Sequence, residues 1–112
     1  MSWSTEGVKT NPGPNTILAD TGPLTQAEVD LQEVPIPQIT VSADVNVTVL
    51  FQLRNAADNA TVAQQAYAVG AYAPLVIQSP RAFIQLNSGQ RFRVVLTAGI
   101  TGNVQASLFL WG

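Results

Sequence analysis

The sequence predicts an all-β protein: an antiparallel β-sandwich, or a jelly-roll-like fold, with an extended N-terminal arm. Apolar and β-branched residues alternate with polar ones in several short segments, which is typical of half-buried strands. Turn signals containing Gly, Pro, Asn or Ser recur every ~8–12 residues, as in sandwiches and barrels. The 112 residues are enough for one hydrophobic core. We therefore expect an arm at 1–15 and one β-sandwich domain at 16–112.

The predicted arm consists mainly of Ser, Thr, Asn, Gly and Pro, and Trp3 and Val8 are its notable apolar side chains. A segment of this composition does not order by itself. Two interpretations stay open at this point. The arm either folds back over its own domain, or it docks on another chain with Trp3 as its anchor.

The first part of the predicted domain contains two β-like segments. The sequence TILAD (16–20) is short and precedes a turn with Gly and Pro at 21–25. The segment 26–34 alternates between apolar and polar residues, which indicates a half-buried strand. We expect the sequence PIPQ (35–38) to interrupt that strand, because proline cannot donate to a β-ladder.

The segment ADVNVTVLFQLR (43–54) carries the clearest strand pattern in the chain. Its apolar side chains recur at every second position from Val45 to Leu53, with polar residues between most of them. The following NAADN has residues suited to a hairpin loop. We expect Arg54 to hold this loop by binding a carboxylate or backbone carbonyls at the strand end of its own subunit.

The second half of the chain is predicted to contain five more short strands. They are 61–69, 72–79, 81–86, 91–98 and 104–111, separated by turns near Gly70, Pro80, 87–90 and 99–103. The Ala- and Gln-rich segment 60–73 also suits a helix by propensity. Its apolar residues do not form one helical stripe, however, and Gly70 breaks the run, so a strand is the better prediction.

The composition excludes several classes of function. Only 11% of the residues are charged, against the usual ~25%, which is typical of a protein covered by neighbouring subunits. There is no His and no Cys, so the commonest general base and all thiolate chemistry are missing, and we expect a non-enzymatic protein without a cofactor or small-molecule substrate. The net charge of −2 gives no basic stripe for nucleic acid, and no apolar run approaches the ~18 residues of a membrane span.

Carboxylates and side-chain amides nevertheless allow two kinds of site. Asp20, Asp44 and Asp58 would form a paired-carboxylate glycosidase site if loops brought them together. Asp58 with Asn55 and Asn59 provides the hard oxygen ligands that Ca²⁺ prefers, although without the dense alternation of a dedicated calcium loop.

Aromatic residues allow a third kind of site. Tyr67, Tyr72 and Trp111 would form a platform for a sugar if they were exposed together, although packing in a core or interface is the commoner role of such residues. The sequence also matches the N-glycosylation pattern at 46–48 and 59–61, and we expect both to be chance matches, because residues 1–16 do not have the pattern of a secretory signal.

Three segments together resemble known structural proteins. The sequences ILADTGPL, TVLFQLRNAADNATV and SGQRFRVVLTAGITGNVQASLFLW, within residues 17–111, resemble small β-sandwich proteins of tailed-bacteriophage virions. The resemblance implies a capsid decoration (cement) protein, made in the bacterial host cytoplasm and located on the capsid surface of the virion. Its partners would be the major capsid protein and copies of itself, as a homotrimer or another homo-oligomer. A glycan- or receptor-binding module of a tail or fibre is the alternative.

Candidate partner-binding residues lie in the arm, among the arginines and in the last strand. Arg91 and Arg93 share one face of a predicted strand, and we expect them to pair with the carboxylates at Glu28, Asp30 and Glu33, either within one sheet or across a subunit contact. The full candidate set is Trp3, Val8, Pro12, Pro14, Arg54, Arg91, Arg93, Phe109 and Trp111.

Overall fold

A computed structural model describes residues 2–5, 7–25, 36–78 and 87–111 of the chain. The described residues form nine β-strands in two antiparallel sheets and contain no helix. The all-β prediction is therefore confirmed, and the two sheets are consistent with a β-sandwich. None of the described residues belongs to a helix that could span a membrane.

The strands, in chain order, are β1 (Ser2–Thr5), β2 (Lys9–Thr10), β3 (Ile17–Asp20), β4 (Ile36–Ala43), β5 (Val47–Arg54), β6 (Thr61–Val69), β7 (Leu75–Gln78), β8 (Arg91–Leu96) and β9 (Asn103–Trp111). The predicted strands at 26–34 and 81–86 lie outside the described residues.

Each sheet has a main path of four strands. The first sheet has the order β1-β9-β4-β7, and β2 pairs further along β9. The second sheet has the order β3-β8-β5-β6. The pairs nest from the chain ends inward: β1 and β2 pair with β9, β3 with β8, β4 with β7, and β5 with β6.

The core lies between the two sheets and follows the alternation in the sequence. Along β5, every second residue from Val47 to Leu53 is buried, and the residues between them are partly or fully exposed. Phe51 is fully buried against Phe92 of β8, with ring centroids 5.3 Å apart at an interplanar angle of 42°. Burying such a ring stabilises the fold by about 1.5–3 kcal/mol.

Strand β4 corrects the prediction that PIPQ (35–38) lies outside a strand, because residues 36–38 belong to β4. Pro37 lies within the strand and is paired with Leu110 of β9. The described pairing of β4 with β7 begins at Gln38. Proline is tolerated in a strand where its missing N–H would not face a paired neighbour.

Strand β5 begins later than the sequence predicted, at Val47 instead of residue 43. Asp44 forms a bend, because its carboxylate accepts hydrogen bonds from the backbone N–H of Asn103 at 2.7 Å and from the Asn103 Nδ2 at 2.9 Å. Strand β7 likewise begins at Leu75, since Tyr72 has a φ of 57° and lies in a turn. The predicted strand 61–69 coincides with β6.

The N-terminal segment is part of the first sheet. Residues 2–5 and 9–10 pair with β9 of the same chain, which corresponds to the interpretation that the arm folds back over its own domain. Beyond β2, the N–H of Asn11 donates to the carbonyl of Gly102 at 2.7 Å, and the carbonyl of Pro12 accepts from the N–H of Ile100 at 3.1 Å.

Candidate functional site

Five charged residues meet on one face of the second sheet. Arg91 and Arg93 lie on β8, Arg54 ends β5, Asp20 ends β3, and Asp58 lies in the loop after β5. The register places Asp20 opposite Arg93 and Arg54 opposite Arg91. The alternation of β8 directs these arginines away from the core, because the residues between and beside them are buried.

Arg93 and Arg54 hold the two aspartates at hydrogen-bonding distance. The Arg93 Nη2 lies 2.8 Å from Asp20 Oδ2 and 2.7 Å from Asp58 Oδ2. The Arg54 Nε donates to Asp58 Oδ1 at 2.9 Å. The hydrogen bonds from Arg93 and then Arg54 lower the pKa of Asp58 from 3.8 to about 2, so its carboxylate is ionised at neutral pH.

The loop after β5 is fixed by Arg54, as the sequence predicted. The Arg54 Nη2 donates to the backbone carbonyl of Asp58 at 3.1 Å, and the Arg54 Nη1 donates to Thr61 Oγ1 at 2.7 Å. Asp58 has a φ of 55°, and the Asn55 Nδ2 donates to Asn59 Oδ1 at 2.7 Å across the loop. These bonds occupy oxygens that the sequence suggested for Ca²⁺.

Arg91 is the least satisfied member of this charged network. Its Nη1 lies 3.7 Å from Asp20 Oδ2 and 3.9 Å from Asp58 Oδ2. Its Nε is buried without a hydrogen-bond partner. Among the described residues, the network therefore combines three guanidinium groups with two carboxylates and has an excess positive charge, with Arg91 placed to donate to a further acceptor group.

The network differs from a paired-carboxylate active site. A general acid needs a raised pKa, whereas that of Asp58 is lowered. Asp44, the third candidate carboxylate, binds Asn103 at the start of β9 and is not part of the network. The residues at Glu28, Asp30 and Glu33, which we expected as partners of the arginines, lie outside the described residues; Asp20 and Asp58 take this role.

The other candidate partner-binding residues lie in or beside the first sheet. Trp3 is paired with Phe109, and Trp111 is paired with Ile36 of β4. Of the three arm positions that follow Trp3, Val8 has 61% of its surface exposed, Pro12 is buried and Pro14 is exposed. The structure thus brings the arm and the last strand together, and it brings the arginines together separately.

An open cleft of about 370 Å³ lies where the arm meets the turn after β6. Tyr72 lies on its rim and is 83% exposed, and its N–H donates to the carbonyl of Ala43 at 2.8 Å. Tyr67 packs against the core instead, and burial raises the pKa of its hydroxyl. The structure describes the side chains of two of the three proposed aromatic residues, Tyr67 and Tyr72. Of these two, Tyr72 is exposed.

A long segment of the described surface carries no charge. No charged residue occurs from 59 to 78, whereas five of the seven charged residues in the described part belong to the network on β3, β5 and β8. Exposed apolar side chains lie in this segment at Val62 (53%), Tyr72 and Val76 (56%). This uncharged segment is visible in the sequence as a run rich in Ala, Gln, Tyr and Val without Lys, Arg, Asp or Glu. The run does not, however, reveal which strand lies at the edge of a sheet.

Comparisons of the chain with protein-family models, with curated proteins and with solved structures find no match.

Proposed function

We propose that this chain is a virion structural protein that decorates and stabilises an assembled bacteriophage head. One observation carries the proposal. The segment 59–78 has no charged residue and exposes Val62, Tyr72 and Val76, while most described charges are tied into the network of Arg54, Arg91 and Arg93. Charge depletion together with exposed apolar groups is typical of a surface that a neighbouring subunit covers.

We further propose that the sandwich is a jelly roll. The nested pairing supports this, because strands that pair from the chain ends inward are those of one long antiparallel ribbon. The pairs β4 with β9 and β5 with β8 wrap that ribbon into two sheets. Jelly rolls occur in viral capsid proteins, among other classes.

The mechanism of stabilisation is mass action. A protein that binds the assembled lattice and not its free subunits lowers the free energy of the assembled state. Each copy needs only weak contacts, because neighbouring copies that also contact one another raise the effective concentration of each contact. The arm and the residues Arg54, Arg91 and Arg93 provide further contacts to the major capsid protein in this proposal.

The test uses phage heads assembled without this protein. We expect purified chain to bind them in a saturable way, measured by co-sedimentation, and to raise the temperature at which the heads release DNA. The variant Val76→Asp introduces a charge into the uncharged surface and should reduce the bound copies about tenfold or more. Ser88→Asp, in the exposed turn before β8, is the matched control and should bind like the wild type. Heads that bind no wild-type chain would refute the proposal.

A second function is favoured by the cleft beside Tyr72. An exposed tyrosine on the rim of a cleft of about 370 Å³ is suited to stack on a sugar ring, as in a receptor-binding module of a tail or fibre. In that case Tyr72→Ala would abolish binding on a glycan array and leave head binding unchanged. Glycan binding by the wild type without head binding would favour this function over capsid decoration.

A further inference from the structure

Among the described strands, β6 is an edge of the second sheet. Eight of its nine residues pair with β5, Val62 forms a bulge, and no other described strand lies on its outer side. Its nine residues present a row of free N–H and C=O groups about 30 Å long. With β9 it is the longest strand among those described.

This edge has little of the usual protection against pairing with another strand. Natural edges carry charged residues, proline, a bulge or a very short strand. From Thr61 to Val69 there is no charged residue and no proline, and the single bulge, at Val62, lies near one end of the strand. Six of the nine residues are exposed, among them Val62, Gln64 and Gln65.

The chemistry of the strand identifies a second copy of this chain as the partner. A strand without charge offers nothing for a charged partner strand to complement, and it does not repel an identical strand. Two identical strands that meet along the same edge become antiparallel neighbours related by a two-fold axis, which is the closed symmetry of most homo-oligomers. In a β-strand, every second residue points its N–H and C=O groups toward the same side. Two residues that lie directly opposite each other across the axis must therefore have sequence numbers that differ by an even number.

Centring the two-fold axis on Gln65 pairs residues 63–67 of the two copies, which lie in the regular part of the strand beyond the bulge at Val62. In that register Ala63 lies opposite Tyr67 of the partner subunit. Gln64 lies opposite Ala66 of the partner subunit, so each of these larger side chains faces an alanine. The two Gln65 side chains meet on the axis, where their amides can donate to and accept from each other.

The inner side of β6 also lacks cover. Gln65 is paired with Phe51 in the sheet and so lies on the same face, yet Phe51 is fully buried and Gln65 is exposed. Ala63 and Tyr67, on that same face, are only partly buried. A second β6 beside this one would bring its own Ala63 and Tyr67 against this row and remove apolar surface from water.

We infer that two copies of this chain join through β6, in an antiparallel pairing centred on Gln65, to form one continuous eight-stranded sheet. This deepens the part of the proposed function that concerns copies of the chain itself. The β6 dimer is tested on the isolated protein, whereas head binding is tested on phage heads. Failure of either test would therefore leave the other hypothesis standing.

The first experiment is a cross-link, which the absence of native cysteine makes specific. Opposed residues in antiparallel strands have Cα atoms about 4.5–5.5 Å apart, which lies within the range of a disulfide. We expect the full-length Gln65→Cys variant to form a disulfide-linked dimer rapidly under mild oxidation. The control is Thr48→Cys, because the Thr48 side chain is exposed on the inner strand β5 of the same sheet. This variant should form at least about tenfold less disulfide-linked dimer. Equal cross-linking of the two variants would overturn the inference.

The second experiment uses charge exchange and sedimentation velocity. The wild type should be a dimer or a higher species containing this dimer, and Gln65→Lys should raise the dissociation constant about tenfold or more because two lysines meet on the axis. Mixing Gln65→Lys with Gln65→Glu should restore association, whereas Thr48→Lys should leave it unchanged. Circular dichroism would verify that each variant is folded. A monomeric wild type at millimolar concentration, or a mixture that does not associate, would overturn the inference.

Discussion

At the scale of single residues, Asp58 connects the parts of the charged network. It accepts hydrogen bonds from Arg54 and Arg93, which come from different strands, and its backbone is held in the left-handed region. Surface ion pairs usually contribute little, but these side chains are only 12–29% exposed and share two carboxylates. The network therefore fixes the loop relative to β8 instead of adding a single exposed pair.

Replacing Asp58 by Asn should lower the free energy of unfolding by about 1–2 kcal/mol at pH 7, because the neutral amide has one acceptor oxygen for two guanidinium groups and no negative charge. The folded-state pKa is lowered from 3.8 to about 2, so the stabilisation is present above pH 3.8 and is lost as the pH falls through about 2. Urea unfolding of wild type and Asp58→Asn between pH 2 and pH 7 measures this. A difference that stays constant down to pH 2 would contradict the assignment.

Gly102 shows a second constraint at the residue scale. It has a φ of 148°, and a Cβ there would lie 2.5 Å from Asp44 Oδ1 and 3.0 Å from Val45 Cγ1. Asp44 cannot easily move, because the Asn103 N–H holds that same oxygen. We expect Gly102→Ala to destabilise the protein by about 2–3 kcal/mol. Gly13→Ala, where an added Cβ meets nothing within 4 Å, is the control and should unfold like the wild type in a thermal scan.

At the scale of elements, strong period-2 segments were predictable and interrupted ones were not. Most of 91–98 and 104–111 is found where the alternation placed it, and 61–69 is a strand, as the lack of one helical stripe predicted. Strand β4 was missed, because Pro37 argues locally against a strand, whereas its pairing with Leu110 of β9 is set by a residue 73 positions away. The start of β5 was placed too early, because Val45 continues the alternation while Asp44 bonds to a residue 59 positions away.

Strand β5 also allows a prediction about the core. Phe51 is fully buried between the sheets and contacts the Phe92 ring, so Phe51→Ala should cost about 3–5 kcal/mol through lost burial and a cavity. Its neighbour Gln52 points to the other face, and Gln52→Ala should change stability by no more than ~0.5 kcal/mol. Chemical denaturation of both variants gives the comparison, and equal effects would show that β5 is turned the other way.

At the scale of the whole molecule, the sites arise from topology. Asp20 and Arg93 lie 73 positions apart in the chain and meet because β3 pairs with β8. The sequence showed that Arg91 and Arg93 share a face, but it did not show which carboxylates would reach them. The exposed edge of β6 follows in the same way from its terminal place in the order β3-β8-β5-β6. A strand becomes an interaction surface of this kind when no neighbouring strand covers it. That depends on other parts of the chain and cannot be predicted from the residues of the strand itself.

The place of the arm in the first sheet leads to a last prediction about the whole chain. Removing residues 1–5 takes away β1, whose backbone pairs along one side of β9, while β4 still pairs along the other side. We expect the shortened chain to remain folded by circular dichroism and to lose roughly 1–3 kcal/mol of stability, since the hydrogen bonds of one edge strand are removed. Removing residues 1–12 also removes β2 and the buried Pro12, whose carbonyl accepts a hydrogen bond from the N–H of Ile100, and should unfold the domain.

The chain without residues 1–5 also tests whether the arm contacts the phage head. If it does, fewer copies of this folded variant than of the wild type should bind to each head. Unchanged occupancy would restrict the role of β1 to its own sheet.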